Sequence, residues 1–387
     1  MSDDPRTPAP DATPHGEPDV AEGGDPFVPS DDEGQDEPRP ATPRSITLSV
    51  SVVALALLLA VASALPLPYA VEAPGPTLNT LGAHDGKPLI EIPHAKTYPV
   101  TGQLRLVTVS TAGGPGYPVT LGRMLSGWAS RQDSVIPVEA IFPPDQTQKQ
   151  ISQAGQQEMI SSQEDATVSA LEELGYQVPT TLTVGDVMTG SGADGHVRKG
   201  DVITAVNGVQ VDSFSALSTQ MDAVRPGDTV TLTVTRDGSP TQVPVTTTDD
   251  GHGRALLGVL IDPSFDFPVD VSIQIENIGG PSAGTMFALG IIDLLTPEDM
   301  ADGQVIAGTG TMDLTGTVGP IGGIRQKMYG ARHDGATWFL APAQNCAEVV
   351  GHVPDGLHVV SVTTLHGARQ AVEAIGAGKG DQLPTCS

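Results

Sequence analysis

At 387 residues the chain is longer than an ordinary single domain, so two or three modules are expected. Its 46 acidic and 19 basic side chains give a formal net charge of −27, which leaves no basic surface to meet phosphates and argues against a nucleic-acid partner. The histidines and the two cysteines show no metal-ligand spacing such as H-E-x-x-H, so neither a metal nor another cofactor is expected.

Residues 1–43 are rich in Pro, Asp, Glu and Gly and almost free of large apolar side chains. Such a segment buries too little surface to offset its chain entropy, and a disordered acidic tail is expected. Residues 44–70 read as a membrane-crossing helix. No charge falls between Ser45 and Val71, and the centre, Val50 to Leu65, is rich in Val, Ala and Leu. Arg39 and Arg44 precede it and no basic residue follows closely, so the Lys/Arg bias puts the tail in the cytoplasm and the remainder outside. Ala62-Ser63-Ala64 also fits a leader cleavage site; the long acidic lead-in favours an uncleaved signal anchor.

Beyond the anchor, Leu104 to Ser110 reads as a strand, Val119 to Trp128 as a helix and Val135 to Phe142 as an extended segment. Gln146 to Gly175 is helical, with Gly175 closing it. A different pattern occupies 176–248. A strand from Gly200 ends in the turn Asn207-Gly208, an amphipathic helix spans Phe214 to Val224, and Asp237-Gly238 joins two strands, Thr229 to Thr235 and Thr241 to Thr247. This order resembles a PDZ domain of the bacterial protease type. The resemblance implies binding of an extended peptide as an added strand, with its terminal carboxylate in a backbone nest expected within Gly175 to Val184. The plainer reading is a β-rich spacer without a ligand.

The chemistry concentrates between Asp270 and Lys327. An alternating strand, Asp270 to Glu276, leads into the glycine-rich turn Gly279 to Gly284 and then an apolar helix, Thr285 to Leu295. A Gly/Thr-rich hairpin covers Gly308 to Val318, and Gly319 to Ala331 carries Lys327. Ser282, between a strand and a helix start, is a candidate nucleophile, and the N–H groups near Ser282 and Ala283 are candidates for an oxyanion site. Serine needs a base, and a lysine among Ile324, Met328 and Ala331 supplies one if desolvation lowers its pKa. Two other readings stand beside this one. Gly280-x-Ser282-x-Gly284 fits a hydrolase elbow, which would require Asp334 or Asp355 with His358 or His366. Alternatively, Ser282 caps a helix and Lys327 is a solvated surface lysine.

Taken together, Gly-Pro-Ser282-Ala-Gly, Gly-Thr309-Gly and Pro-Ile-Gly-Gly-Ile-Arg-Gln-Lys327 resemble the proteolytic domain of the Lon family of serine peptidases. By motif, the resemblance implies Ser282 as nucleophile, Lys327 as general base and Thr309 as the hydroxyl beside the lysine. Gly280 stands where many Lon enzymes carry an acidic residue. Met159 to Leu174 resembles the helix that precedes the serine-bearing strand in that family. The expected fold is therefore α+β: a Lon proteolytic domain in two parts, 71–175 and 249–387, with the PDZ domain inserted at 176–248. No G-x-x-x-x-G-K-[ST] is found, so peptide cleavage without ATP is expected. The expected partners are unfolded or C-terminal peptide segments and the membrane, and the resemblance implies assembly as a homo-oligomeric ring. An inactive PDZ scaffold on the outer face of the membrane is the alternative. Cys346 and Cys386 fall on the oxidising side, where a disulfide is expected.

Overall fold

The computed structural model describes residues 42–65, 67–114, 117–142, 146–275 and 278–386, so the tail expected over 1–43 lies almost wholly outside the described residues. The chain divides into two units, Met1–Leu58 and Leu59–Ser387.

The helix α1 (Pro43–Ala64) opens on a proline, which suits a first helical position because its missing N–H has no intrahelical acceptor there. It is apolar on every face, with mean hydropathy 2.5 from Pro43 to Ser63, and is long and apolar enough to cross a membrane.

The following elements build one six-stranded sheet and its helices: β1 (Tyr69–Asn79), β2 (Gln103–Ala112), α2 (Leu121–Ala129), β3 (Ser134–Pro137) and α3 (Gln148–Glu173). A capping box starts α3: Thr147 accepts from the Gln150 N–H while the Gln150 side chain accepts from the Thr147 N–H. The chain then leaves for a second sheet, made of β4 (Thr180–Val187), β5 (Val202–Val206), α4 (Phe214–Asp222), β6 (Thr229–Arg236), β7 (Ser239–Thr246) and β8 (Val259–Phe265). It returns with α5 (Gly284–Leu295), β9 (Val305–Gly308), β10 (Thr311–Met312), β11 (Val318–Gly319), α6 (Ile324–His333), β12 (Trp338–Pro342), β13 (His358–Val362) and α7 (Leu365–Gly376).

The first sheet has the order β13-β12-β9-β2-β1-β3. Its first four strands run parallel, β1 is antiparallel to β2, and β3 is antiparallel to β1. The apolar helix α5 is buried on all sides, with Phe287, Leu289, Ile291 and Ile292 each 0% exposed. It packs on β2 and against α3 and α7, which explains why its sequence lacks a polar face. On the other side of the sheet, α6 sets Ile324, Met328 and Ala331 into a second cluster with Val107, Phe339 and Ala341.

Three expectations are corrected. The strand expected over Asp270 to Glu276 is the two-residue segment Ser272–Ile273, paired with Ile90–Glu91, and Glu276 lies outside the described residues. The extended segment after Val135 ends at Pro137 and becomes a short 3-10 turn, Val138–Ala140. The inserted sheet does not stop at residue 248. Its order is β7-β6-β5-β4-β8, and β8 pairs antiparallel with β4 from Val259↔Val187 to Phe265↔Thr180. β4 is therefore interior. β8 is one of the sheet's two edge strands, with β7 at the other end, and it tolerates Pro263 as an edge strand can.

Cys346 and Cys386 are joined by a disulfide bond with 40 residues of sequence separation. The Ser361 N–H of β13 donates to the Pro384 carbonyl at 2.9 Å, so the C-terminal tail lies along the sheet's edge. Restricting the unfolded chain by a closure of this length stabilises the fold by roughly 4 kcal/mol. Reduction should therefore lower the thermal midpoint by several degrees, and Cys346→Ser with Cys386→Ser should reproduce that shift without reductant. An unchanged midpoint in both would remove the disulfide from the stability account.

Candidate active site

Ser282 enters the site on a chain that leans on α3. The Gly280 N–H donates to the Gly155 carbonyl at 2.9 Å, and Ser162 Oγ donates to the Pro281 carbonyl at 3.0 Å. Gly280 itself has φ +89°, a conformation that strains any residue with a Cβ and in which an acidic residue would be costly. Ala283 occupies the N-cap position of α5, so Ser282 stands one residue before the cap and its hydroxyl is not the capping group.

The Ser282 carbonyl is held from β9 and the segment after it. Thr309 Oγ1 and the Gly310 N–H both donate to it, each at 2.9 Å. Thr285, on the first turn of α5, donates through its N–H to the Gly310 carbonyl at 3.1 Å, closing the loop between helix and strand. Lys327, on the second turn of α6, reaches over: its Nζ donates to Ser282 Oγ at 2.8 Å and to Thr309 Oγ1 at 3.1 Å. Lys327 is 4% exposed and Thr309 is fully buried, while Ser282 remains partly open. Ser282, Thr309 and Lys327 thus converge on one point. Ala283, buried beside them, is the N-cap of α5, and the first N–H groups of that helix are already taken: Gly284 donates to the Pro281 carbonyl at 3.4 Å, Thr285 to Gly310 at 3.1 Å and Met286 to Ala283 at 2.9 Å.

A profile of the Lon protease (S16) C-terminal proteolytic domain matches residues 274–372, and a profile of the PDZ domain matches residues 158–247. The chain carries a Lon-type proteolytic domain and a PDZ domain. Lon protease 1 of Herpetosiphon aurantiacus is 33% identical over 119 residues, 30% of this chain and 14% of that protein. Lon protease of Aquifex aeolicus is 33% identical over 110 residues, 27% of this chain and 13% of its own length. Lon protease 2 of Bacillus subtilis is 34% identical over 104 residues, 25% of this chain and 18% of that one. The chain therefore spans less than a fifth of the length of each of these relatives.

Burial in the Lon-type domain pushes the Lys327 amine down to about 8, while the charge of Glu72 acts the other way. Glu72 is a residue the motifs did not mark. It sits on β1, in register with Thr111 of β2 and Ser134 of β3. Ser134 Oγ accepts from Gln326 Nε2 at 2.6 Å, next to Lys327 on α6. Burial raises the Glu72 carboxyl and the nearby Lys327 charge partly offsets that. Its one signal in the sequence is that it is the first charge after the long neutral run from Ser45. Ser162 and Gly310 lie inside the motifs but were given no role, because their contacts with Pro281 and Ser282 join distant parts of the chain.

The partners a hydrolase triad would need lie elsewhere. Asp334 accepts from Thr77 Oγ1 at 2.6 Å, the Asp355 carbonyl accepts from Arg332, His358 stacks on Trp338, and His366 pairs with Glu173 at 2.8 Å. Lys327 is buried, not a solvated surface lysine.

Proposed function

We propose that the protein is a serine endopeptidase that works through a Ser282–Lys327 dyad without nucleotide, tethered to a membrane by α1 with its folded part on the outer face. The observation that carries this reading is the 2.8 Å approach of a buried amine to a partly open serine hydroxyl. An amine brought down to about 8 is neutral in part at physiological pH, so it has a lone pair to accept the serine proton. In the proposed cycle Lys327 takes that proton as Ser282 Oγ attacks a peptide carbonyl. The N–H groups of Ser282 and Ala283 meet the oxyanion, and the lysine returns the proton to the leaving amine. Water, deprotonated by the same lysine, then releases the acyl group. Thr309 holds Lys327 and the Ser282 carbonyl together, which keeps the attacking oxygen in place between turnovers. The PDZ domain supplies recognition of peptide or protein ends.

The test compares wild type and Ser282→Ala, both full-length in detergent, on an unfolded protein substrate without nucleotide. Cleavage by wild type alone supports the reading, and equal cleavage removes Ser282 from the mechanism. Peptide binding with no cleavage by either protein favours the scaffold.

The reading also sets a pH dependence. A base must be neutral to act, so kcat/KM should climb with pH through about 8. Glu72→Gln deletes the charge that favours protonated Lys327, so the climb should move to lower pH and activity near pH 7 should rise. A limb that stays in place, or moves up, would separate Glu72 from the lysine.

A further inference from the structure

Between α4 and β8 lies a trough of about 390 Å3 with an apolar lining that includes Phe214, Leu217, Met221, Val259 and Ile261. β8 ends its sheet: it pairs with β4 on one side and has no strand on the other among the described residues. A free edge beside an apolar trough accepts an extended peptide as an extra strand. At the start of β8, beside Leu257 and Val259 on the trough, the chain turns at Gly258 with φ +75°, the left-handed backbone form from which anion nests are built. That end suits a terminal carboxylate.

The opposite wall does not belong to the PDZ domain. Asp313 and Thr315, from the turn between β10 and β11 of the Lon-type domain, line the same trough. Leu314 between them is in a buried cluster with Val168, Leu171 and Val178, and Phe214 and Phe265 pack against that cluster. The turn therefore stands by the start of α4 and the end of β8, away from Gly258. Asp313 Oδ1 accepts from the Thr315 N–H at 2.9 Å, Thr315 Oγ1 at 2.6 Å and the Thr317 N–H at 2.9 Å. All three bonds use Oδ1, which leaves Oδ2 for a ligand. Of the other charges on the trough, Asp222 adds a second negative one, and Arg254, paired with Asp250 at 2.9 Å, also feels the charges of Asp222 and Asp313, so a basic ligand competes with it there.

We propose that this trough is a composite peptide site walled by both domains, in which Asp313 selects a basic side chain upstream of a free, apolar C-terminus. The proposal rests on the peptide-recognition reading of the PDZ domain given above.

The probes are two labelled hexapeptides with a free carboxylate on an apolar last residue. One carries two lysines and the other two glutamates in its upstream half. Binding is read by fluorescence anisotropy on the full-length chain with Ser282→Ala, which prevents cleavage. The lysine peptide should bind about fivefold tighter, the scale of an exposed charge pair, and 0.5 M salt should shrink the difference. Asp313→Asn keeps the Oδ1 acceptor and with it the turn, and should bring the two peptides to within twofold of each other. A preference that survives Asp313→Asn, or equal binding of both peptides by the Asp313 protein at low salt, overturns the proposal and leaves peptide recognition standing. If neither peptide binds the Asp313 protein, the recognition reading itself falls. The salt measurement needs no variant at Asp313, so misfolding of Asp313→Asn would not leave the proposal unread.

Discussion

Lys327→Met should slow peptide hydrolysis by about 10³-fold or more, the scale of a positioned general base, and at pH 7 should make the fold more stable. The two effects have one cause. A lysine that titrates at 10.5 when unperturbed and at about 8 in the fold is held in a site that disfavours its charge. Well below pH 8 the amine is protonated in both folded and unfolded chains, and burying that charge costs about 3 kcal/mol. Between pH 8 and 10.5 the unfolded chain binds more protons than the folded one, so stability rises with pH across this window and the cost disappears. Methionine has nearly the same reach and no charge. Its stabilising effect should be largest below pH 8 and fade toward pH 10.5, as read from denaturant midpoints of both proteins across that range. A variant that is less stable at pH 7, or a difference that ignores pH, would mean that the lysine's hydrogen bonds to Ser282 and Thr309 outweigh its desolvation. A variant that keeps its activity would remove Lys327 as the base.

Gly310→Ala should damage activity and stability together. Gly310 has φ +156°, and a Cβ there would lie 2.5 Å from Thr285 Oγ1 and 2.7 Å from Val318 Cγ1. Neither neighbour can withdraw freely: Thr285 is buried on the first turn of α5 and Val318 is buried in β11. The Gly310 N–H also holds the Ser282 carbonyl, so any relief of the clash moves the serine. A displacement near 1 Å costs about 10²-fold in rate, and the overpacking about 2–3 kcal/mol of stability. Gly122→Ala serves as the control. It lies in α2 with open space around its Cβ, and should be neutral or stabilising by ~0.5–1 kcal/mol. Loss of activity in Gly310→Ala without loss of stability would point to a local effect on the serine and not to the packing argued here.

Local pattern carried much of this protein. α1 was legible because a neutral apolar run of that length has few other uses, and α5 because eight apolar residues within eleven, Thr285 to Leu295, imply burial on every side. The PDZ and Lon-type domains were legible from short motifs whose glycines, turns and strands are set by neighbours in the chain. Ser282, Thr309 and Lys327 could be named for the same reason, each lying inside a compact motif. The boundaries were less so. No strand was expected over Val259 to Phe265, and its pairing with β4 places an edge of the sheet some eighty residues beyond the loop expected to hold a ligand.

What the amino-acid order determined by itself was the list of parts: a membrane-length helix, a PDZ module, a Lon-type domain, and a serine and a lysine of the types that a dyad uses. What the tertiary structure decided was their environment. The depth of Lys327, the approach of Glu72 from β1, and the Asp313 turn in the wall of another domain's trough all join residues far apart in sequence. Helix and strand periodicity record which face of an element is buried. They do not record what that face meets, and an amine's proton affinity or a trough's charge depends on that neighbour.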